Sequence, residues 1–475
     1  MRGFDDYRRI ADAIAADIAG GRLKPGDRLP PQRLFARRRR IAPSTASRVY
    51  GELVSRGLVV GEVGRGTFVR AVPEPTGRAL TERTGPAEIN LELNYPSAPG
   101  QSELLSASLE PLLRPDVFAA ATQVAAAAGT SQARTAAARL LASGPWHPEP
   151  EQLLFAGNAR QAVAAALTAL ARPGGRVGVE ALTYPVVKEI AARLGVTLVP
   201  LAMDAEGLRP GAVAAAHRSA PLSALYVQPT LHNPTCVTMP ERRRAELAAV
   251  ARELDLPVIE DRIWSFLHPG APAPLAAHAP ERTHVVDGLS KRVAPGLSVG
   301  LLAVPAPDVE RTAAALRSAG TTASRFALEA ATRWITDGTV DRLATAKRAD
   351  AAARHRIVRD CLGGHDGADG LGCHDGPDGL GCHDGPDGLN GLNGHDIRTD
   401  PHAYYAWWRL PAPWRGETFT AAAAAHGIAI TPGAAFAAGS HTTPDTVRVG
   451  LASPSHDVLR EALRTLAAVA AQPCA

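Results

Sequence analysis

Cysteine is scarce in this 475-residue chain, and the few cysteines present are not paired. There are five, an odd number, and no two of them form a C-x-x-C arrangement: Cys236, Cys361, Cys373, Cys382 and Cys474. A disulfide framework is typically an even set of cysteines, and a structural zinc site needs closely spaced ligands. The sequence therefore predicts neither a disulfide framework nor a metal site.

Long uninterrupted apolar runs are also lacking. The alanine-rich stretches are interrupted by Gln, Arg or Gly well before they reach membrane-spanning length, and no apolar run follows a basic start. We therefore expect a soluble, cytoplasmic protein with no membrane partner. With 45% hydrophobic and 21% charged residues, the chain can bury large cores and is too long for one ordinary domain.

Positive charge is concentrated at one end of the chain. Residues 1–70 hold 15 Lys and Arg against 7 Asp and Glu, a net charge of +8, whereas the remainder holds 36 against 40, a net charge of −4. A compact basic block on a slightly acidic chain is typical of a nucleic-acid-binding module, although a merely solvated basic face has the same composition. The two parts are expected to have different partners.

Residues 1–70 show the pattern of three helices followed by a β-hairpin. Apolar residues recur at helical spacing over residues 7–18 and stop before a Gly-Gly pair. Leu34 and Phe35 mark a short second helix with a strongly basic surface, and a third helix begins near Pro43. Two β-prone runs, 58–61 and 67–70, flank a Gly-Arg-Gly turn. This order predicts a winged helix-turn-helix.

The rest of the chain predicts a linker followed by an α/β domain. Residues 71–88 are rich in Pro, Gly and charge without an apolar period, which is typical of a linker. From residue 89 to residue 475, β-like apolar runs alternate with alanine-rich helical stretches, and this alternation predicts a mainly parallel sheet. The β-like runs are 153–155, 176–179, 222–227, 257–259, 285–286 and 301–304.

Residues 363–395 differ from the rest of this domain because they repeat with a period of nine: HDGADGLGC, HDGPDGLGC, HDGPDGLNG. Their histidines and aspartates are possible metal ligands, but the phasing of glycine and aspartate does not match calcium-binding nonapeptides. So polar a segment buries too little apolar surface to offset the entropy of ordering it. We expect a disordered, low-complexity insertion.

The N-terminal stretch YRRIADAIAADIAGGRLKPGDRLPPQRLFARRRRIAPSTASRVYGELVSRGLVVGEVGRGTFV resembles the GntR family of bacterial regulators. The most specific pieces are GRLKPGDRLP, TASRVY and GRGTFV, in the expected order. The resemblance implies that the third helix enters the major groove of double-stranded DNA. The residues that it places toward DNA are Arg33, Ser44, Thr45, Ser47, Arg48 and, at the wing tip, Arg65. Pro43 is a departure, because many GntR proteins have an arginine near that position.

Residues 89–475 resemble the fold-type-I aminotransferases, and their fusion behind a GntR head is the layout of the MocR subfamily. The segment DGLSKRVAPG, residues 287–296, is similar to the one whose lysine bonds covalently to the aldehyde of pyridoxal 5'-phosphate (PLP). The resemblance implies that Lys291 is this catalytic residue, with PLP as the cofactor. It also implies a large three-layer α/β domain with a smaller C-terminal α/β subdomain.

Further matches follow the same order as in the family. The resemblance implies that Asp261 pairs with the pyridine nitrogen, that Asn233 donates to the ring oxygen and that Tyr184 stacks on the ring. The turn Gly157, Asn158, Ala159 would receive the phosphate at a helix N-terminus. Arg448 would bind a substrate carboxylate in a bidentate manner, through two hydrogen bonds.

Several positions depart from the family pattern around the phosphate. Gly288 stands where Ser or Thr is usual, Ser298 where Arg is usual, and Val124–Gly129 offers no tyrosine that a partner subunit could use. Trp264 occupies the place of a frequent tyrosine near the ring oxygen. The remaining predicted cofactor contacts are Ser290 and Arg292, beside Lys291. Each lost charge-assisted contact costs about 1.5–3 kcal/mol of binding.

The leading hypothesis is a transcription regulator that binds DNA through residues 1–70 and senses PLP, or an amine or amino-acid effector reacting with it, through residues 89–475. We expect a homodimer, since one winged helix covers too few base pairs to find a single operator. Two alternatives remain. One is a working aminotransferase with an accessory DNA-binding head, and the other is a repressor whose aminotransferase fold has lost its cofactor and only dimerises. Gly288 and Ser298 favour the second alternative over the first.

Overall fold

A computed structural model of the chain describes residues 6–19, 22–23, 27–55, 58–62, 66–69, 89–362, 390–392, 395–439 and 445–472. The predicted linker 71–88, Arg65 and most of the repeat segment 363–395 lie outside these residues. Among the residues that are described, no helix is long and apolar enough to cross a membrane.

The N-terminal unit is a three-helix fold with a small sheet. Its elements are α1 (Asp6–Ala19), β1 (Arg28–Leu29), α2 (Gln32–Arg39), α3 (Pro43–Ser55), β2 (Val59–Glu62) and β3 (Gly66–Val69). The strand β3 pairs antiparallel with both β1 and β2. Ala11, Ile14 and Ile18 share one face of α1 and are buried in the same core as Val49 and Leu53 of α3. The predicted winged helix-turn-helix is confirmed.

The large domain is built around a seven-stranded sheet. The strands over residues 89–303 are β4 (Ile89–Asn90), β5 (Leu153–Ala156), β6 (Arg176–Glu180), β7 (Thr197–Leu201), β8 (Met203–Asp204), β9 (Gly207–Leu208), β10 (Ala224–Val227), β11 (Val258–Asp261), β12 (Thr283–Gly288) and β13 (Gly300–Ala303). The central order is β5-β13-β12-β11-β10-β6-β7. Only β13 runs antiparallel to its neighbours in this sheet. The predicted mainly parallel sheet is confirmed.

Helices cover both faces of this sheet. They are α4 (Gln101–Leu109), α5 (Pro115–Ala121), α6 (Ser131–Leu141), α7 (Ala159–Leu170), α8 (Pro185–Arg193), α9 (Pro210–Ser219), α10 (Glu241–Glu253), α11 (Leu275–His278), α12 (Leu289–Arg292), α13 (Val309–Ser318) and α14 (Arg325–Thr336). One core lies between the sheet and α6 and α14, and a second lies beneath α7, α8 and α13. Because both faces are covered, whole strands such as β5 and β10 are apolar and buried.

A smaller C-terminal subdomain follows the long helix α15 (Thr339–Leu362). Its elements are β14 (Asn390–Leu392), β15 (His395–Arg398), β16 (Tyr405–Arg409), α16 (Gly416–Ala425), β17 (Ile428–Ala429), β18 (Thr431–Pro432), β19 (Thr446–Gly450) and α17 (His456–Ala471). The sheet order is β14-β15-β16-β19-β18, while β17 pairs in parallel with β4. The strand β14 shows that the end of the repeat segment belongs to this sheet.

Short 3-10 turns complete the described structure. They are Glu110–Leu113, Pro150–Gln152, Ser265–Leu267, Pro295–Leu297, Ala306–Asp308 and Gly433–Phe436.

Candidate functional site

The candidate site lies at the carboxyl edge of the central sheet. Tyr184 follows β6, Asn233 follows β10, Asp261 ends β11, and Lys291 lies on α12 directly after β12. Because parallel strands all end at the same edge, residues more than 100 positions apart in sequence are brought to one place. In open α/β sheets this edge is where ligands bind.

Lys291 is half-buried, and its amine is surrounded by aromatic rings. Nζ donates a hydrogen bond to the backbone oxygen of Asn94, and it lies 4.5 Å from the centre of the Tyr95 ring and 5.0 Å from that of Trp264. Burial lowers the pKa of Lys291 to about 7, and the nearby cations Arg160, Arg448 and Lys347 lower it further. An amine with a pKa near 7 is about half deprotonated at neutral pH, and the deprotonated form is the nucleophile.

A second buried lysine supports the helix that carries Lys291. Lys347, on α15, is fully buried, and its Nζ donates to the backbone oxygens of Lys291, Arg292 and Val293 at 3.0, 3.0 and 2.7 Å. These carbonyls close the C-terminal end of α12, where acceptors have no partner within the helix. Burial lowers the pKa of Lys347 to about 7. Lys347 therefore fixes the backbone that aims Lys291.

Asp261 is a buried carboxylate without a cationic partner among the described residues. Tyr226 Oη donates to its Oδ2 at 2.6 Å, and the backbone N–H of Ile263 donates to its Oδ1 at 3.0 Å. Burial raises the pKa of Asp261 to about 6, and the Asp287 and Glu180 carboxylates also raise it, against the two hydrogen bonds. A buried carboxylate in this state fits a protonated ring nitrogen, which would supply the missing positive charge.

Arg448 and Asn233 contact each other beside the edge of the sheet that carries Asp261. Arg448 Nη1 donates to Asn233 Oδ1 at 3.3 Å, and Nη2 donates to the backbone oxygen of Glu92 and, at 3.3 Å, to Thr431 Oγ1. The Arg448 guanidinium also lies 5.0 Å from the centre of the Phe436 ring. Burial lowers the pKa of Arg448 to about 10.

The turn between β5 and α7 offers backbone donors for a phosphate. Asn158 is the N-cap of α7, and its Oδ1 accepts from the N–H of Gln161 at 3.0 Å. The first N–H groups of a helix have no acceptor within it, and they favour an anion. Ser298 Oγ is buried and has no hydrogen-bond partner among the described residues, so it remains available to such a group.

The packing around residue 288 explains why glycine stands there and not the Ser or Thr that is usual in the family. A Cβ atom there would lie 3.0 Å from the Val299 oxygen and 3.3 Å from the Ala159 side chain. A Ser or Thr would therefore press against the first residue of α7. The close packing of β12 on this helix therefore favours glycine at position 288.

Arg292, which the sequence predicts to contact the cofactor, is paired with Asp287. Its Nη2 donates to Asp287 Oδ2 at 2.6 Å inside the protein, and its guanidinium lies 5.0 Å from the centre of the Phe266 ring. Consecutive residues of a helix point in different directions, and Arg292 is directed toward Asp287. Ser290, the other neighbour of Lys291, is half-buried.

Several residues around Lys291 were not predicted from the sequence: Asn94, Tyr95, Arg160, Tyr226 and Lys347. Arg160 follows the Gly157–Ala159 turn directly, so its position next to a predicted motif was a usable signal. Lys347 falls on the apolar stripe of α15, between buried Leu343 and Ala351, where a lysine is unusual. Nothing in the sequence relates Asn94 and Tyr95 to Lys291.

The second candidate surface is the exposed side of α2 and α3. Ala46, Val49 and Tyr50 face the core, whereas Ser44, Ser47 and Arg48 on the same helix are exposed, as is Arg33 on α2. Thr45 is half-buried. Tyr50 Oη donates to the backbone oxygen of Pro30 at 2.5 Å and its ring packs edge-on against Phe35 at 5.3 Å. These contacts hold α3 against α2.

Comparisons with known proteins match the two units separately. Residues 88–466 match the family "aminotransferase class I and II", and residues 6–69 match "bacterial regulatory proteins, gntR family". The first match covers most of the chain. Members of the aminotransferase class I and II family depend on PLP.

Two curated relatives are similar to this chain over three quarters of its length or more. The HTH-type transcriptional regulator YdeF of Bacillus subtilis is 28% identical over 449 residues, which are 94% of this chain and 90% of that protein. The HTH-type pyridoxine biosynthesis transcriptional regulator PdxR of Corynebacterium glutamicum is 28% identical over 371 residues, 75% of this chain and 78% of that protein.

Among solved structures, an archaeal alanine:glyoxylate aminotransferase superposes with a TM-score of 0.68 at 20% identity, covering 81% of this chain and 91% of that one. At this identity the likeness concerns the fold alone. The predicted aminotransferase fold behind a GntR-type head is confirmed.

Proposed function

The chain belongs to the aminotransferase class I and II family and is a GntR-type DNA-binding transcription regulator, and we propose that its aminotransferase-like domain binds PLP at Lys291. In this proposal the domain senses PLP, or an amine or amino acid that reacts with it, and transmits the binding event to the DNA-binding unit. The MocR subfamily combines the same two parts. The observation that carries the proposal is the position of the half-buried Lys291 amine, at the same edge of the sheet as the Asp261 carboxylate and 5.0 Å from the centre of the Trp264 ring.

The donor set around Lys291 supports PLP in particular. Asp261 would hold the ring nitrogen, Asn233 the ring oxygen and Tyr184 the ring face, while Ser298 and the Gly157–Ala159 turn would hold the phosphate. Trp264 is buried 5.0 Å from the Lys291 amine and would close the site beside the ring oxygen. Bound PLP supplies an electron-withdrawing ring for chemistry at an amine.

Residues of the protein would position the Lys291 amine and the incoming amine. Lys347 holds the Lys291 backbone, and Arg448 would bind a carboxylate of the incoming amine. For sensing, the effector must bind one arrangement of the two domains more tightly than another, because a ligand with equal affinity for both shifts nothing.

DNA binding would use the exposed face of α3 and two copies of the chain. Arg33, Ser44, Thr45, Ser47 and Arg48 would face the major groove, with Arg65 at the wing. Leu113, Phe118 and Val124, which lie within 12 residues of one another in sequence, are 63%, 41% and 96% exposed, and such apolar exposure supports a subunit contact.

Covalent mapping tests the proposal directly, because the chain has only four lysines: Lys24, Lys188, Lys291 and Lys347. The full-length protein is incubated with PLP, reduced with borohydride, digested and analysed by mass spectrometry. We expect a phosphopyridoxyl group on the peptide that contains Lys291, lost in Lys291→Ala and kept in Lys24→Ala. An adduct at another lysine, or none with PLP in excess, would contradict the proposal.

A further inference from the structure

Three side chains that can bind a metal ion meet where the large domain packs against the C-terminal subdomain: His268, Asp400 and His402. One ligand atom from each residue lies within 4.8 Å of those of the other two. His268 follows the 3-10 turn after β11, whereas Asp400 and His402 lie between β15 and β16. The two histidines are 134 positions apart, so the sequence, which lacks closely spaced ligands, predicted no metal site.

The two histidine rings are held side by side by the packing around them. They stack at an angle of 11° with 4.2 Å between their centres. Phe266 and Leu267, just before His268, share one buried apolar core with Ala403 and Tyr404, just after His402. Because this core fixes both backbones, little further ordering is required for the two imidazoles to bind one ion.

Asp400 and His402 already have the spacing of two ligands of one ion. Asp400 Oδ1 accepts from the backbone N–H of His402 at 2.7 Å, and it lies 2.9 Å from His402 Nδ1. Two adjacent ligands, each about 2.0–2.2 Å from a zinc ion, are roughly 3 Å apart. An ion between this oxygen and this nitrogen would take the place of the shared proton, and the imidazole would then carry its proton on Nε2.

His268 brings a nitrogen that no other group uses. Its Nδ1 is buried and has no hydrogen-bond partner in the described part of the chain. A buried polar atom in this state is rare in folded proteins, and a bound ion is one of the ways in which it is satisfied. Since the three ligand atoms are up to 4.8 Å apart, a tilt of the rings that moves these atoms by about an ångström would bring all three within bonding distance of one ion.

We propose that His268, Asp400 and His402 bind a divalent transition-metal ion of the zinc type. Two imidazole nitrogens and one carboxylate oxygen suit Zn²⁺, whereas Mg²⁺ and Ca²⁺ take oxygen ligands. The side chains of His402 and Asp400 are 36% and 21% exposed, so the ion can enter from solvent and complete its coordination with water. The bound ion ties the turn after β11 to the turn before β16. This site does not rest on the binding of PLP.

Equilibrium dialysis of the untagged, full-length protein against Zn²⁺ without PLP, followed by metal analysis, tests the site. We expect one more Zn²⁺ per chain in the wild type than in His268→Gln or His402→Gln. Each variant should weaken Zn²⁺ at this site by at least about tenfold, since even the loss of a group that only hydrogen-bonds a ligand costs roughly 10–100-fold. Histidines and cysteines elsewhere, those of residues 363–395 included, are the same in all three proteins, so the difference reports this group alone.

Two further variants separate metal binding from folding. In Asp400→Asn the amide oxygen can still accept from the His402 N–H, but it is a poorer ligand than a carboxylate, so Zn²⁺ should bind more weakly while the metal-free melting temperature is unchanged. His456→Gln is the matched control, because His456 pairs with Asp350 at 2.7 Å outside this group, and it should bind Zn²⁺ as the wild type does. Zn²⁺ should raise the melting temperature of the wild type and of His456→Gln more than that of His268→Gln.

Two outcomes would overturn the proposal. One is the same Zn²⁺ stoichiometry and affinity in His268→Gln and His402→Gln as in the wild type, because any bound ion would then lie elsewhere. The other is a loss in only one of these two variants, because the ion would then not join the two turns. Since the dialysis contains no PLP, a failure of PLP to bind Lys291 would leave these results unchanged.

Discussion

The N-terminal unit and the aminotransferase-like domain both concentrate positive charge, but they hold it in opposite ways. On α2 and α3 the arginines are exposed to solvent. Around Lys291 the cations are buried or half-buried, and the pKa values of Lys291, Lys347 and Arg448 are all lowered.

The two regions differ because water reaches the charges of one and is largely excluded from the charges of the other. Exposed charges are screened by water and salt, so each of these arginines acts nearly independently of the others. Buried charges lose that screening, so they shift one another's protonation and depend on fixed partners. We therefore expect a single substitution to have a larger effect in the buried site than on the exposed surface.

The largest expected effect is on the pH dependence of stability in the buried site. The pKa of Lys291 is about 7 in the folded protein against an ordinary value of 10.5, so the unfolded chain binds more protons between these values. The free energy of unfolding therefore rises with pH from about 7 to about 10.5. Lys291→Met removes this contribution, and it should stabilise the cofactor-free protein by about 2–4 kcal/mol below pH 7.

Urea unfolding at pH 6, 8 and 10 measures this difference. The gain in Lys291→Met should shrink as the pH rises and vanish near pH 10.5, while the separate contribution of Lys347 persists in both proteins. A gain that is the same at every pH would show that Lys291 is not held in a desolvated environment, and the contrast between the two regions would be lost.

A smaller effect is expected at the exposed face of α3. If Arg48 reads a base edge, Arg48→Ala should cost about 1–3 kcal/mol on operator DNA and little on random DNA of the same length. Binding of a fluorescent duplex at fixed salt measures both. Equal losses on the two DNAs would make Arg48 a phosphate contact like its basic neighbours.

The smallest effect is expected from the exposed basic run on α2. Arg38→Ala should weaken operator and random DNA alike by less than about 1 kcal/mol and should reduce the slope of log affinity against log salt by about 1. Repeating the duplex titration at several salt concentrations gives this slope. A loss confined to the operator would assign base recognition to α2.

Much of the fold could be predicted from local patterns in the sequence. Each of these patterns involves residues close together in sequence, so it predicts a helix, a turn or a strand without knowledge of the tertiary structure. The patterns are the apolar spacing of α1 and α3, the Gly-Arg-Gly turn of the wing and the wholly apolar strands of the central sheet. The residues that family resemblance assigned to the site also recur in a fixed order, which is why Lys291, Asp261, Asn233 and Arg448 could be named. Their roles remain predictions until cofactor binding is measured.

Only the tertiary structure decided which side chains meet and where they point. The contacts of Tyr226 with Asp261, of Lys347 with the α12 carbonyls and of Tyr95 with Lys291 join residues 35 to 196 positions apart. Arg292, next to Lys291 in sequence, turns inward to Asp287 because a helix sends neighbouring side chains in different directions. The sequence thus determined the local elements and the order of the motif residues, whereas the surroundings of the Lys291 amine depend on how distant segments pack at one edge of the sheet.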